Sequence, residues 1–115
     1  MTGDGKWSRA YIEATFGDVK GEHGNEINAA IMASLFTNPD VLTKLKLEYS
    51  RLQKNIENDG IDPVLATIVR LAVDGLWFSE IVGVGEIDNQ LRDRVIECLM
   101  KMTKGYGTEF NQIDA

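Results

Sequence analysis

One cysteine, one histidine and two prolines in 115 residues leave several kinds of protein out of reach. A lone Cys98 makes no internal disulfide, which excludes a disulfide-stapled secreted scaffold and fits a reducing cytoplasm. His23, flanked by Glu22 and Glu26 in a glycine-bearing stretch, lacks the further nitrogen or sulfur ligands of a tight transition-metal site. No metal and no cofactor are expected. Basic charge is also short, with 12 basic against 18 acidic residues and a net charge of −6. The average surface therefore repels a nucleic-acid duplex, and these residues alone are not expected to bind DNA. No run reaches the ~20 apolar residues of a membrane span, and the start MTGDGKW has neither the basic nor the apolar part of a secretory leader. A hydrophobic content of 43% suits one compact core, so residues 1–115 are expected to be a single domain.

Both prolines follow a good capping residue, as Asn38-Pro39 and Asp62-Pro63, and so open helices rather than break them. From Pro39 the residues Val41, Leu42, Leu45, Tyr49, Leu52 and Ile56 recur at three- and four-residue steps, one face of a helix that should stop near Asp59 at Gly60. Asp88 precedes a second amphipathic helix, with Leu91, Val95, Cys98, Leu99 and Met102 on one side and Gly105 as its stop. Lys6 to Phe16, with Trp7, Ala10, Tyr11 and Ala14, and Asn25 to Phe36, with Ile27, Ala30, Ile31 and Leu35, also read as helices. The glycine-bearing stretch between them reads as a loop, and 105–115 as a flexible tail. Period-two alternation bounded by hairpin signals is absent, so the expected fold is all-α, an antiparallel bundle of about five helices.

The stretch from Pro63 to Val82 has a different pattern. After Pro63, nineteen positions hold only Thr67, Arg70, Asp74, Ser79 and Glu80 as polar side chains. A helix apolar on so many sides needs cover on two faces, and a domain of this size supplies cover for one. A homodimer is the expected source of the rest, its last two long helices pairing with their copies as a four-helix bundle. The candidate interface is Ile68, Ala72, Gly75, Leu76, Ser79, Leu91, Val95, Leu99 and Met102, with Ala72, Gly75 and Ser79 as a small-residue stripe. Thr67, Arg70 and Asp74 form a separate polar stripe, on which Arg70 and Asp74, four residues apart, read first as a surface ion pair.

The run DPVLATIVRLAVDGLWFSEIVG, from Asp62 to Gly83, followed by LRDRVIECLMKM, resembles the C-terminal domain of TetR-family transcriptional regulators. The step Asp74-Gly75-Leu76-Trp77 is the most telling part, and the helix order extends the likeness over roughly residues 6 to 104. The resemblance implies a repressor whose N-terminal helix-turn-helix binds an operator, while this domain dimerises and holds a small effector that releases the DNA. The helix-turn-helix is not among these 115 residues, so any DNA contact would belong to that other part.

Catalytic constellations find no support. Gly83-Val84-Gly85 has no preceding strand and lacks the third glycine of a dinucleotide fingerprint, so it reads as a helix-ending turn. Cys98 has no histidine near it in sequence. Glu48, Glu57, Glu80 and Glu97 are spaced as charged faces. An enzyme is not expected. Two classes remain: an effector-sensing regulator domain, and a structural dimerisation module without effector. The aromatics Trp7, Tyr11, Phe16, Phe36, Tyr49, Trp77 and Phe78, with Leu52 and Ile56, are the candidate pocket lining for an apolar or aromatic effector, uncharged or weakly cationic. They would serve a solid core equally well.

Overall fold

The computed structural model of the protein describes residues 4–17 and 24–104, which form five helices. These are α1 (Lys6–Phe16), α2 (Gly24–Thr37), α3 (Pro39–Glu57), α4 (Pro63–Val82) and α5 (Asn89–Met102), with no strand among the described residues. His23 and the expected tail at 105–115 lie outside the described residues.

Three helix starts are set by their own neighbours in sequence. The Asn38 side chain accepts from the Asp40 and Val41 amides at 3.0 and 3.4 Å, Asp62 from Val64 at 2.9 Å, and Asp88 from Leu91 at 2.8 Å. Each satisfies an amide that the helix leaves without a partner. Two helix ends fall earlier than the glycines suggest. Helix α3 stops at Glu57, because the Asn58 side chain turns back onto the Lys54 carbonyl at 2.8 Å and Asp59 is drawn away to α1. Helix α5 stops at Met102, where the Thr103 hydroxyl donates to the Met100 carbonyl at 2.6 Å.

Helix α1 starts by another route. Gly5 stands at its cap position without a side chain, and the first-turn amides of Trp7 and Ser8, which have no partner within the helix, donate to the two carboxylate oxygens of Asp59, each at 2.9 Å. Asp59 comes from the corner between α3 and α4 and is fully buried. A buried carboxylate persists where its lone pairs are filled, and a helix N-terminus fills them with favourably oriented dipoles. The Gly5 amide adds a bond to the Asp59 carbonyl at 2.7 Å. Gly5 has a φ of 76°, and a Cβ there would lie 1.6 Å from the Thr103 carbonyl oxygen, so no other residue fits. Arg9 completes the junction with a 3.2 Å bond to the same oxygen.

Helix α4 packs against each of the other four helices. Its Val69 and Val73 form the core with Ile12 of α1 and Leu99 of α5, and Phe16, Ala72, Val95 and Ile96 pack around them. Glu80 of α4 pairs with Arg92 of α5, whose guanidinium lies 5.4 Å from the centre of the Phe16 ring. The opposite side of α4 is bare. Val64, Ile68, Leu71, Phe78 and Val82 are exposed there, Val64 by 67%. With Gly75 they follow alternating steps of four and three residues, the repeat of a helix-pairing seam. No helix among the described residues is long and apolar enough to cross a membrane.

Candidate functional site

Three side chains far apart in sequence meet where α1, α3 and α4 converge. The Tyr11 hydroxyl donates to Asp74 Oδ1, across 63 residues of chain. The Tyr49 hydroxyl lies 3.0 Å from that of Tyr11 and 3.3 Å from the same carboxylate oxygen. The second oxygen, Oδ2, accepts from the Arg70 guanidinium at 2.8 Å. Arg70 also donates from Nε to Gln53 of α3 at 2.7 Å, and the Gln53 amide donates in turn to Thr67 and Glu57, both at 2.9 Å. The Arg70 guanidinium lies 5.7 Å from the centre of the Tyr49 ring.

The polar stripe of α4 is thus an interhelical network. The Arg70–Asp74 spacing suggests a surface pair, yet the two side chains are only 17% and 28% exposed. The spacing is correct and the setting is not, because α1 and α3 close over the stripe. Burial, and next the hydrogen bond to Asp74, pushes the Tyr11 phenol well above its ordinary value. Tyr49 is raised chiefly by burial, with the Asp74 charge acting the same way. Both phenols remain protonated wherever the protein is folded near neutral pH.

Beside this cluster lies a cavity of about 310 Å³, lined by Tyr11, Ala14, Thr15, Leu35, Leu45, Tyr49, Asp74 and Trp77. That volume is at the low end of small-molecule sites, which run from ~300 to 1,000 Å³. Of the nine side chains expected to line a pocket, Tyr11, Tyr49 and Trp77 come together here. The other six are elsewhere. Trp7 is 44% exposed beside the Asp59 junction, Phe16 packs against the core under Arg92, and Ile56 is fully buried. Leu52 is half-buried outside the lining, while Phe36 is 83% exposed and Phe78 belongs to the bare face of α4. Asp74 and Thr15, the polar side chains that accompany the tyrosines, were not among the expected lining. The sequence signal for Asp74 is its place with Thr67 and Arg70 on the polar stripe of a mainly apolar helix.

The candidate interface residues divide as well. Ile68, Gly75 and Leu91 are exposed, whereas Leu76 and Ser79 are half-buried. Ala72, Val95 and Met102 pack on the chain's own core, and Leu99 is part of it. Cys98 is half-buried and borders a groove on α5 with Leu91 and Val95.

A bundle of helices with a mixed aromatic and polar cavity between them, and an apolar seam along the exposed side of α4, is a helical domain of the kind that builds sites between facing helices. The family model described as tetracyclin repressor-like, C-terminal domain, matches residues 5–104, and the chain belongs to that family. Neither the curated proteins nor the solved structures give a match to this chain.

Proposed function

We propose that this chain is the effector-sensing and dimerisation domain of a transcriptional repressor. In this reading a small molecule enters the cavity between α1, α3 and α4 and controls DNA release by a helix-turn-helix outside these residues. The observation that carries it is the cavity itself, placed where a ligand would touch α1 and α4 at once. Helix α1 is the first of the described helices, and α4 carries the bare apolar seam. A homodimer through that seam, a cytoplasmic setting and the lack of enzymatic activity belong to the same proposal. Family membership supports them, and the net charge of −6 leaves DNA contact to another part.

A thermal-shift screen of small hydrophobic and aromatic compounds tests the sensing role. A ligand present at 100 times its dissociation constant should stabilise the fold by ~2.7 kcal/mol. Replacing Trp77 with alanine should abolish that shift. If no compound moves the unfolding midpoint, sensing is refuted and a dimerisation module without effector remains.

A further inference from the structure

The hydroxyl hydrogens around the cavity are already committed. Thr15 donates to the Tyr11 carbonyl at 2.8 Å, and Tyr11 donates to Asp74 Oδ1. The single hydroxyl hydrogen of Tyr49 then goes to the Tyr11 oxygen at 3.0 Å or to Asp74 Oδ1 at 3.3 Å. What these hydroxyls and the carboxylate still offer is lone pairs. Among the lining residues Trp77 is the remaining side chain with an N–H to give. The raised phenols of Tyr11 and Tyr49 keep this pattern fixed, since neither hydrogen is lost at working pH.

A wall rich in acceptors selects among head groups. A carboxylate or phosphate would set further acceptors against it and leave buried lone pairs unmet. A hydroxyl can satisfy one of them. An ammonium carries donors alone. Charge points the same way, although Asp74 already has a cationic partner. Arg70 holds Oδ2 and does not line the cavity, whereas Oδ1 is shared with the two tyrosines that do. An entering cation therefore meets the carboxylate before the guanidinium, and the rings of Tyr11, Tyr49 and Trp77 add the attraction of aromatic faces for positive charge.

We infer that the cavity takes a small organic amine in its ammonium form, its head on the Tyr11–Tyr49–Asp74 cluster and its apolar body among Leu35, Leu45 and Trp77. This rests on the reading of the cavity as an effector site. A body of one ring and a short arm suits the about 310 Å³ available.

The test is calorimetric titration of the full chain at neutral pH with phenethylamine, phenethyl alcohol and phenylacetate, which share a ring and differ at the head. The amine, charged at this pH, should bind roughly tenfold or more tighter than phenylacetate, a difference of about 1.4 kcal/mol or more, with the alcohol between them. Asp74→Asn should cost the amine about tenfold and change the alcohol by less than about threefold. Tyr49→Phe keeps the Tyr11 and Arg70 contacts of Asp74 and should weaken the amine several-fold without weakening phenylacetate. The unmodified chain gives the ranking even if a variant fails to fold. Phenylacetate binding as tightly as the amine overturns the inference, as does amine affinity untouched by both substitutions. If none of the three binds while a neutral apolar compound stabilises the fold, the head-group assignment falls and sensing stands. If nothing stabilises the chain, both fall.

Discussion

Replacing Asp59 with alanine would strip the Trp7 and Ser8 amides of the acceptors they meet at 2.9 Å. Losing a helix cap costs about 1 kcal/mol, and hydrogen bonds to a charged group add about 1.5 to 3. Urea unfolding should therefore show Asp59→Ala destabilised by about 2.5 to 4 kcal/mol, with asparagine recovering part of it. Asn38, Asp62 and Asp88 could be recognised as caps from the sequence because each serves an amide two or three residues on. Asp59 serves amides 52 and 51 residues away, and no local pattern marks it. The same holds for the cavity: Tyr11 and Tyr49 were legible as amphipathic aromatics, but their meeting with Asp74 spans 63 and 25 residues. These phenols also give the fold an alkaline limit. Their values lie above the ordinary 10.0 in the folded state, so the unfolded chain gives up those protons first. Their contribution is whole below about pH 10 and drains away as pH rises further. Unfolding midpoints measured from about pH 8 to 11 should fall at the alkaline end, and Tyr11→Phe should flatten that fall.

At the scale of elements, α4 separates the folded core from the seam proposed for dimerisation. Val73 lies in the core and Leu71 on the bare seam. Leu71→Arg should leave a folded chain, since the side chain already faces out, and should convert a dimer into a monomer of 12.8 kDa by light scattering. Val73→Arg should unfold the domain instead, by leaving a charge buried without a partner. A wild-type chain that is already monomeric at tens of micromolar would sink the assembly model. The sequence made clear that this helix was too apolar for one core, yet it placed the close-approach stripe on Ala72, Gly75 and Ser79. Periodicity fixes the rotation of a helix only when one side is polar enough to be excluded. Here the docking of α1 and α5 onto Val69 and Val73 sets the rotation, turns Ala72 inward and leaves the stripe from Val64 to Val82 outside.

At the scale of the whole molecule, the five helices and the starts of α3, α4 and α5 agree with what capping and periodicity predict, because those signals are local. The junction at Gly5 is not local, and it has a topological consequence. Gly5 lies against the Thr103 carbonyl, while Arg9 bonds the same oxygen at 3.2 Å, so the two ends of the described fold are neighbours. Chains with adjacent ends tolerate circular permutation. Linking Ala115 to Met1 and opening the backbone between Val84 and Gly85 would preserve every helix in a new order. That turn is exposed, and a Cβ at Gly85 would meet nothing within 4 Å. The permuted chain should retain the helical circular dichroism of the original, whereas a cut inside α4 should not. The order in which the helices are joined is thus separable from the way they pack, and new chain ends could be carried to the far side of the bundle.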